Sequence, residues 1–246
     1  ALVRVITSIP VALHTQYLLE GTWSTLIMPA LRLAFADYAV DKRGDVGSFV
    51  RMQAIHSSAA LLTWACSELS SPQPLPISPI HALELLGCVI QQAMEKIDKV
   101  RGVAGQALFD IFHNTSTTNH HVSPSRPTHD DEEQHVSSCV MTRLMGALQL
   151  QHDPPEGLGS SAADDVRVLE RTLLDSKIVD WSSAADTFPR LAPALLRTAT
   201  FSRYVLEGIV VSVGGLSVHV FKPSLDALVC AFKDGAVENS SKGPCC

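Results

Sequence analysis

Histidines, carboxylates, serines and a terminal pair of cysteines are the residues in this chain whose types and spacing could do chemistry. Six of its ten histidines fall between His113 and His152, with Asp130, Asp131, Glu132 and Glu133 among them. Imidazole and carboxylate both ligate divalent transition metals, so a metal site is the sharpest reading. The spacing is irregular, however, and the Ser, Thr, Asn and Asp around these residues leave little apolar area to offset the cost of ordering them. We therefore expect a solvated low-complexity loop, with no metal and no cofactor. Ser, His and Asp are all present, yet no serine lies in the strand–turn–helix G-x-S-x-G setting of a hydrolase nucleophile. There is no G-x-x-x-x-G-K phosphate loop. Arg43-Gly44-Asp45 spells an adhesion tripeptide, but Asp45 has a ready structural task at a helix start. Cys245-Cys246 resembles a prenylation signal, whose lipid needs a second anchoring element. The chain is expected not to be an enzyme.

The residues with a regular spacing are of another kind. Val50-Arg51-Met52-Gln53-Ala54 returns as Val100-Arg101-Gly102-Val103-Ala104, fifty residues later. An acidic residue precedes each copy, Asp45 in the first and Asp98 in the second. A helical period of about 40–50 residues is the signature of an α-solenoid, in which stacked helix pairs bury one another's apolar faces. In a HEAT-type pair the acidic residue satisfies orphan N–H groups at the start of the second helix. The arginine reaches the acidic turn of a neighbour, and Ala54 and Ala104 let helices approach closely. Asp45, Val50, Arg51, Ala54, Asp98, Val100, Arg101 and Ala104 are thus read as scaffold.

The elements that must carry this motif are set by periodicity and breakers. Thr22–Tyr38 reads as a helix with Leu26, Ile27, Leu31, Ala34 and Phe35 along one side, kinked or opened by Pro29. Asp41–Asp45 is a turn, and Val46–Leu69 a helix closed by Ser70–Pro74. Pro79 opens a helix with Leu83, Leu86, Ile90, Ala93 and Ile97 in register. Val100, Val103, Ala104, Ala107, Leu108, Ile111 and Phe112 form the broadest stripe. A short helix over Met141–Leu150 comes next, then Val166–Leu174, Asp186–Ala199 and Tyr204–Val213. The last could be a strand on β-branched content, and its helical surroundings decide for helix. Val218, Phe221, Leu225, Leu228, Val229 and Phe232 form a final stripe with Pro223 in its first turn. The expected fold is all-α, a HEAT/armadillo-like solenoid of antiparallel helix pairs. Its organisation is 1–113 HEAT-like repeats, 114–164 a disordered insertion, 165–235 further HEAT-like helices and 236–246 a polar tail. Ala1–Ile9 reads as the end of a helix cut from something longer.

Charge and composition bound the function. The net charge of -6 lacks the basic footprint of a nucleic-acid binder. No run of about 18 apolar residues is present to span a membrane. Cys66, Cys88 and Cys230 are expected to be reduced, buried thiols of a cytosolic protein.

Three ordered stretches carry a resemblance to a family. They are Asp37-Tyr38 through Arg43-Gly44-Asp45-Val46-Gly47-Ser48-Phe49-Val50-Arg51, then Gln91 through Arg101, and Asp180-Trp181-Ser182 through Phe188-Pro189-Arg190 with its continuation Tyr204–Leu216. Together they resemble the C-terminal half of the tubulin-folding cofactor D family, whose members are large cytosolic HEAT-repeat proteins. The resemblance implies a non-enzymatic chaperone role that captures β-tubulin after the chaperonin. It implies assembly with α-tubulin beside tubulin-folding cofactors C and E and an Arf-like small GTPase, and promotion of GTP hydrolysis by tubulin. It also implies a cytoplasmic, cytoskeleton-associated protein. β-Tubulin is acidic, so contact must use local basic patches. The candidates are Lys42 and Arg43 in the first turn, Lys96 and Lys99 before the second motif, and Arg190, Arg197 and Arg203 near the third stretch. The alternative is a generic HEAT scaffold or adaptor with an unrelated partner.

Overall fold

The computed structural model describes residues 20–67, 77–113, 160–174, 180–214 and 217–240. Helix α1 begins as Glu20–Thr22, widens into a π turn over Trp23–Ile27 and continues as Met28–Phe35. The hairpin strands β1 (Val40–Asp41) and β2 (Gly44–Asp45) come next. Then come α2 (Gly47–Ser67), α3 (Pro79–Ala93), α4 (Asp98–His113), α5 (Ser160–Leu174), α6 (Ala184–Leu195), α7 (Ser202–Val213) and α8 (Val218–Ser240). The architecture is an all-helical solenoid. Helices α1, α3 and α7 pack in sequence as one row. In the other row α2 packs on α4, α4 touches α5, and α6 packs on α5 and α8.

Local chemistry accounts for the element starts. Asp45 Oδ1 accepts the Ser48 N–H at 2.9 Å, closing the entry to α2. Ser78 is the N-cap of α3, accepting the His81 N–H, with Pro79 at the first position. The hairpin turns at Gly44, whose φ of 109° suits a residue without Cβ. Leu83, Leu86, Ile90 and Ala93 on α3 and Val100, Ala104, Ala107, Leu108, Ile111 and Phe112 on α4 are all buried in the core.

The row α1–α3–α7 is held by a repeated polar contact. Gln92, the penultimate residue of α3, is fully buried and its Nε2 donates to the Phe35 carbonyl at the end of α1 at 3.4 Å. Ser212, the penultimate residue of α7, is fully buried and its Oγ donates to the Met94 carbonyl just past α3 at 2.6 Å. Each contact satisfies a carbonyl that a helix end leaves without an intrahelical donor. Gly208 makes the second approach possible, since a Cβ there would collide with the Gln91 carbonyl oxygen.

Several expectations are corrected. The π turn gives α1 an extra residue, which rotates its first turn relative to the Met28–Phe35 segment. Trp23, Ile27, Met28 and Phe35 therefore face the core, and Leu26 is exposed. Helix α5 starts at Ser160, with Ala162 and Ala163 buried, so the chain is already structured in the last residues assigned to the insertion. Helix α6 starts at Ala184 and ends at Leu195. Helix α8 runs on to Ser240, past the start of the expected tail, and Pro223 is its sixth residue.

The α8 stripe is the largest departure. Val218, Phe221, Leu225, Val229 and Phe232 are exposed, Leu228 is half-buried, and Val220, Ser224 and Ala227 are buried instead. The small Ser224 and Ala227 allow close packing on α6 and α7, and that turns the apolar stripe outward. Cys230 shares the exposed side, whereas Cys88 is buried with its thiol pushed up to about 12, chiefly by burial. The expected helix over Met141–Leu150, most of the insertion, the breaker at Ser70–Pro74 and the side chain of Cys66 lie outside the described residues. Among those described, no helix is long and apolar enough to cross a membrane.

Two glycine substitutions separate close approach from helix propensity. Gly208→Ala is expected to destabilise by about 1–3 kcal/mol, because the methyl meets backbone. Gly102→Ala, whose Cβ would lie 3.6 Å from Ser182, should be neutral or stabilise by up to about 1 kcal/mol. Urea unfolding of both variants checks the opposite signs.

Candidate functional site

The turns joining α1 to α2 and α3 to α4, with residues 180–183 before α6 and the start of α8, lie along one edge of the solenoid, and two buried arginines organise it. Arg51 is fully buried. It donates from Nη1 to the Asp37 carbonyl at 2.5 Å and from Nη2 to Asp45 Oδ2 at 2.9 Å. Its guanidinium lies 4.2 Å from the Tyr38 ring centroid, and its Nε lies 3.9 Å from the buried Glu95 carboxylate of the next pair. That last separation is an ion contact, too long for a hydrogen bond.

Arg101 repeats the pattern one pair on. Its Nη1 donates to the Glu95 carbonyl at 2.7 Å, and its Nη2 to Asp98 Oδ1 at 2.6 Å and to the Ser182 carbonyl. The guanidinium stands 5.6 Å from the Phe188 ring. Trp181 from the same loop packs over Gly105 on α4. At α6 the ladder changes chemistry, for the buried Thr187 donates from its hydroxyl to the Trp181 carbonyl at 3.2 Å.

The two copies of the motif correspond differently from the way their spacing suggests. Asp37 and Glu95 each lie two residues past the end of the preceding helix, and each presents its carbonyl to the arginine. The hairpin simply lengthens the first turn. Asp45, six residues before Arg51, is largely buried, whereas Asp98, three before Arg101, has a side chain 72% exposed. Val100 and Ala104 are buried on α4, and Ala54 is buried on α2. Val50 is exposed, because α2 lacks a second flanking helix in its row among the described residues. Glu95, Gln92 and Ser212 were missed as structural residues. Their signal is polarity at the ends of otherwise apolar helical runs.

The basic candidates separate into two groups. Lys42, Arg43, Lys96 and Lys99 are exposed on the turn edge. Arg43 is engaged locally, its guanidinium gripping Asp41 at 2.7 and 2.9 Å, and that contact holds the Asp41 carboxyl below its usual range. Lys99 lies 5.7 Å from the exposed Phe49 ring, and the charge of Lys96 acts on Asp45. Arg197 and Arg203 lie at the turn between α6 and α7, one helix length (about 18 Å for 12 residues) from this edge. Arg203 pairs with Glu207 at 2.7 Å, and Arg190 is half-buried midway along α6. No cluster of metal-ligating side chains occurs among the described residues.

Paired helices in two rows, with a buried arginine passing from turn to turn, define a HEAT-type solenoid scaffold. A family model described as tubulin folding cofactor D C terminal matches residues 83–243, from within α3 to beyond α8. That is most of the chain, and the chain belongs to this family. No solved structure matches it.

The ladder generates two expected outcomes. Arg51→Leu should cost about 3–5 kcal/mol by leaving Glu95 buried without its cation. The double variant with Glu95→Leu should cost less than the sum of the two singles, by about 1–3 kcal/mol, in a double-mutant cycle. The second concerns acid. Burial opposes ionisation of Asp45, but the hydrogen bond and charge of Arg51, with the Ser48 N–H and Lys96, outweigh it and lower its pKa. The contribution is present above the unfolded value of about 4 and is lost as pH falls through the lower folded value. Asp45→Asn should therefore be less stable at neutral pH and lose less stability on acidification, as measured by urea unfolding across that range.

Proposed function

We propose that this chain acts as a non-enzymatic tubulin-folding cofactor, contributing part of the surface that binds β-tubulin. The observation that carries this reading is the family match running from within α3 through α8. The partners are β-tubulin, tubulin-folding cofactors C and E and an Arf-like small GTPase, in assembly of the tubulin heterodimer after the chaperonin. In this reading the chain promotes GTP hydrolysis by tubulin from within a complex, supplies no nucleotide site, and works in the cytoplasm in association with the cytoskeleton.

The geometry supports a particular division of labour. The buried arginines are committed to holding turns together and have little charge left to offer a partner. Lys42, Lys96 and Lys99 project from those turns, beside the exposed Val40, Phe49 and Val50. Apolar contact with a basic fringe suits a large acidic protein partner better than charge alone.

Surface immobilisation of the chain and titration with β-tubulin should give saturable binding in the micromolar range or tighter. Lys42→Glu/Lys96→Glu/Lys99→Glu should lower the association rate about tenfold and flatten its salt dependence, with little change in stability. Saturable binding unaffected by the triple variant would place contact elsewhere. No binding to β-tubulin or to the cofactor complex by the folded chain would favour an unrelated partner.

A further inference from the structure

Helix α8 carries its largest apolar side chains on the outside. They are Val218, Phe221, Leu225, Val229 and Phe232, all exposed. Steps of three, four, four and three residues separate them, so they share one side of the helix. Val220, Ser224 and Ala227 are buried on the side where α8 packs on α6 and α7.

That order of steps reads the same in both directions. Leu225 is its centre, with Phe221 and Val229 four residues to either side and Val218 and Phe232 seven. A reversed copy of the helix, related by a two-fold axis through Leu225, therefore sets every member of the stripe against another. Each phenylalanine meets a valine and Leu225 meets itself, so large side chains fill the space that small ones leave. A parallel copy would stack Phe232 on Phe232 and Val218 on Val218, crowding one end and leaving a gap at the other. The charged rim agrees with reversal. Lys222 lies three positions before the centre and Asp226 one after it, on the same flank, and both are exposed. The two-fold brings Lys222 within two residues, about 3 Å along the axis, of Asp226 in the other copy.

We propose that α8 is the face through which two copies of this chain pair, antiparallel and about a two-fold axis at Leu225. A partner of unrelated sequence would place no demand for symmetry on the stripe. The apolar area it exposes is roughly 400–500 Å² per copy, large for a single surface patch. Two such patches with their rims bury about 1,000 Å², the lower limit for a specific interface, so the dimer is a weak one. An isologous contact closes on itself, and association stops at two. The inference stands apart from the tubulin-binding reading, which rests on the family match and on the turn edge.

The test is sedimentation of the full chain in reducing buffer at about 1–200 μM, a range that spans weak dimerisation. The mass should rise from one copy to two as concentration increases, and go no higher. Leu225→Glu places two like charges at the axis and should weaken the dimer about tenfold or more, with an unchanged helical circular dichroism signal. Leu33→Glu, at a residue 75% exposed on α1, should leave the dimer intact. Leu225→Cys should form a disulfide-linked dimer on mild oxidation, faster than the wild-type chain or Val210→Cys, whose site on α7 is 65% exposed. The proposal is overturned by a monomer throughout the range, by growth beyond two copies, or by a dimer that Leu225→Glu leaves intact. Cross-linking of Leu225→Cys no faster than the two comparisons would also overturn it.

Discussion

A guanidinium removed from water must be surrounded by acceptors, and this requirement fixes how one helix pair sits on the next. Arg51 and Arg101 are almost completely buried, and each answers the cost with a carbonyl from the turn behind it, a carboxylate in its own turn and an aromatic face. Each then reaches forward, Arg51 to the Glu95 carboxylate and Arg101 to the Ser182 carbonyl. A planar fork of donors can serve several acceptors at once, which a lysine could not. Because the forward acceptor belongs to the following pair, satisfying the charge and stacking the repeats are one event. The second polar series, Gln92 to Phe35 and Ser212 to Met94, does the same for the other row with neutral groups.

This division leaves the surface to other residues. Arginines that tie turns together are not free to greet a partner, so the edge's available charge comes from lysines between the rungs. The exposed face of α8 is a separate matter. Its small residues are spent on contact with α6 and α7, and its large ones, Phe221, Leu225 and Phe232 among them, meet solvent.

How much of this was legible depended on whether local spacing or tertiary contact decided the outcome. Fold class, the starts of α2 and α3 and the cores of α3 and α4 were legible, because apolar periodicity and capping residues act over a few positions. The two arginines were legible through their recurrence. The equivalence of Asp37 with Glu95 was not, because an inserted hairpin hides it and backbone carbonyls leave no trace in residue type. The outward turn of the α8 stripe was also hidden, for periodicity finds an apolar face and cannot say which face a neighbour covers. The rotation of α1 depended on a π turn with no clear sequence signal. Of the seven basic candidates, nothing in the sequence separated the four on the turn edge from Arg190, Arg197 and Arg203, because which helix ends share an edge is a property of the stack.

The most direct test of a ladder that stacks repeats is hydrogen exchange on Arg101→Met, which keeps bulk and removes the donors. If Arg101 carries the coupling, amides at the start of α6 and of α4 should lose protection together, while those of α1 and α2 keep theirs. Unchanged protection at the start of α6, or an equal loss across every helix, would contradict it.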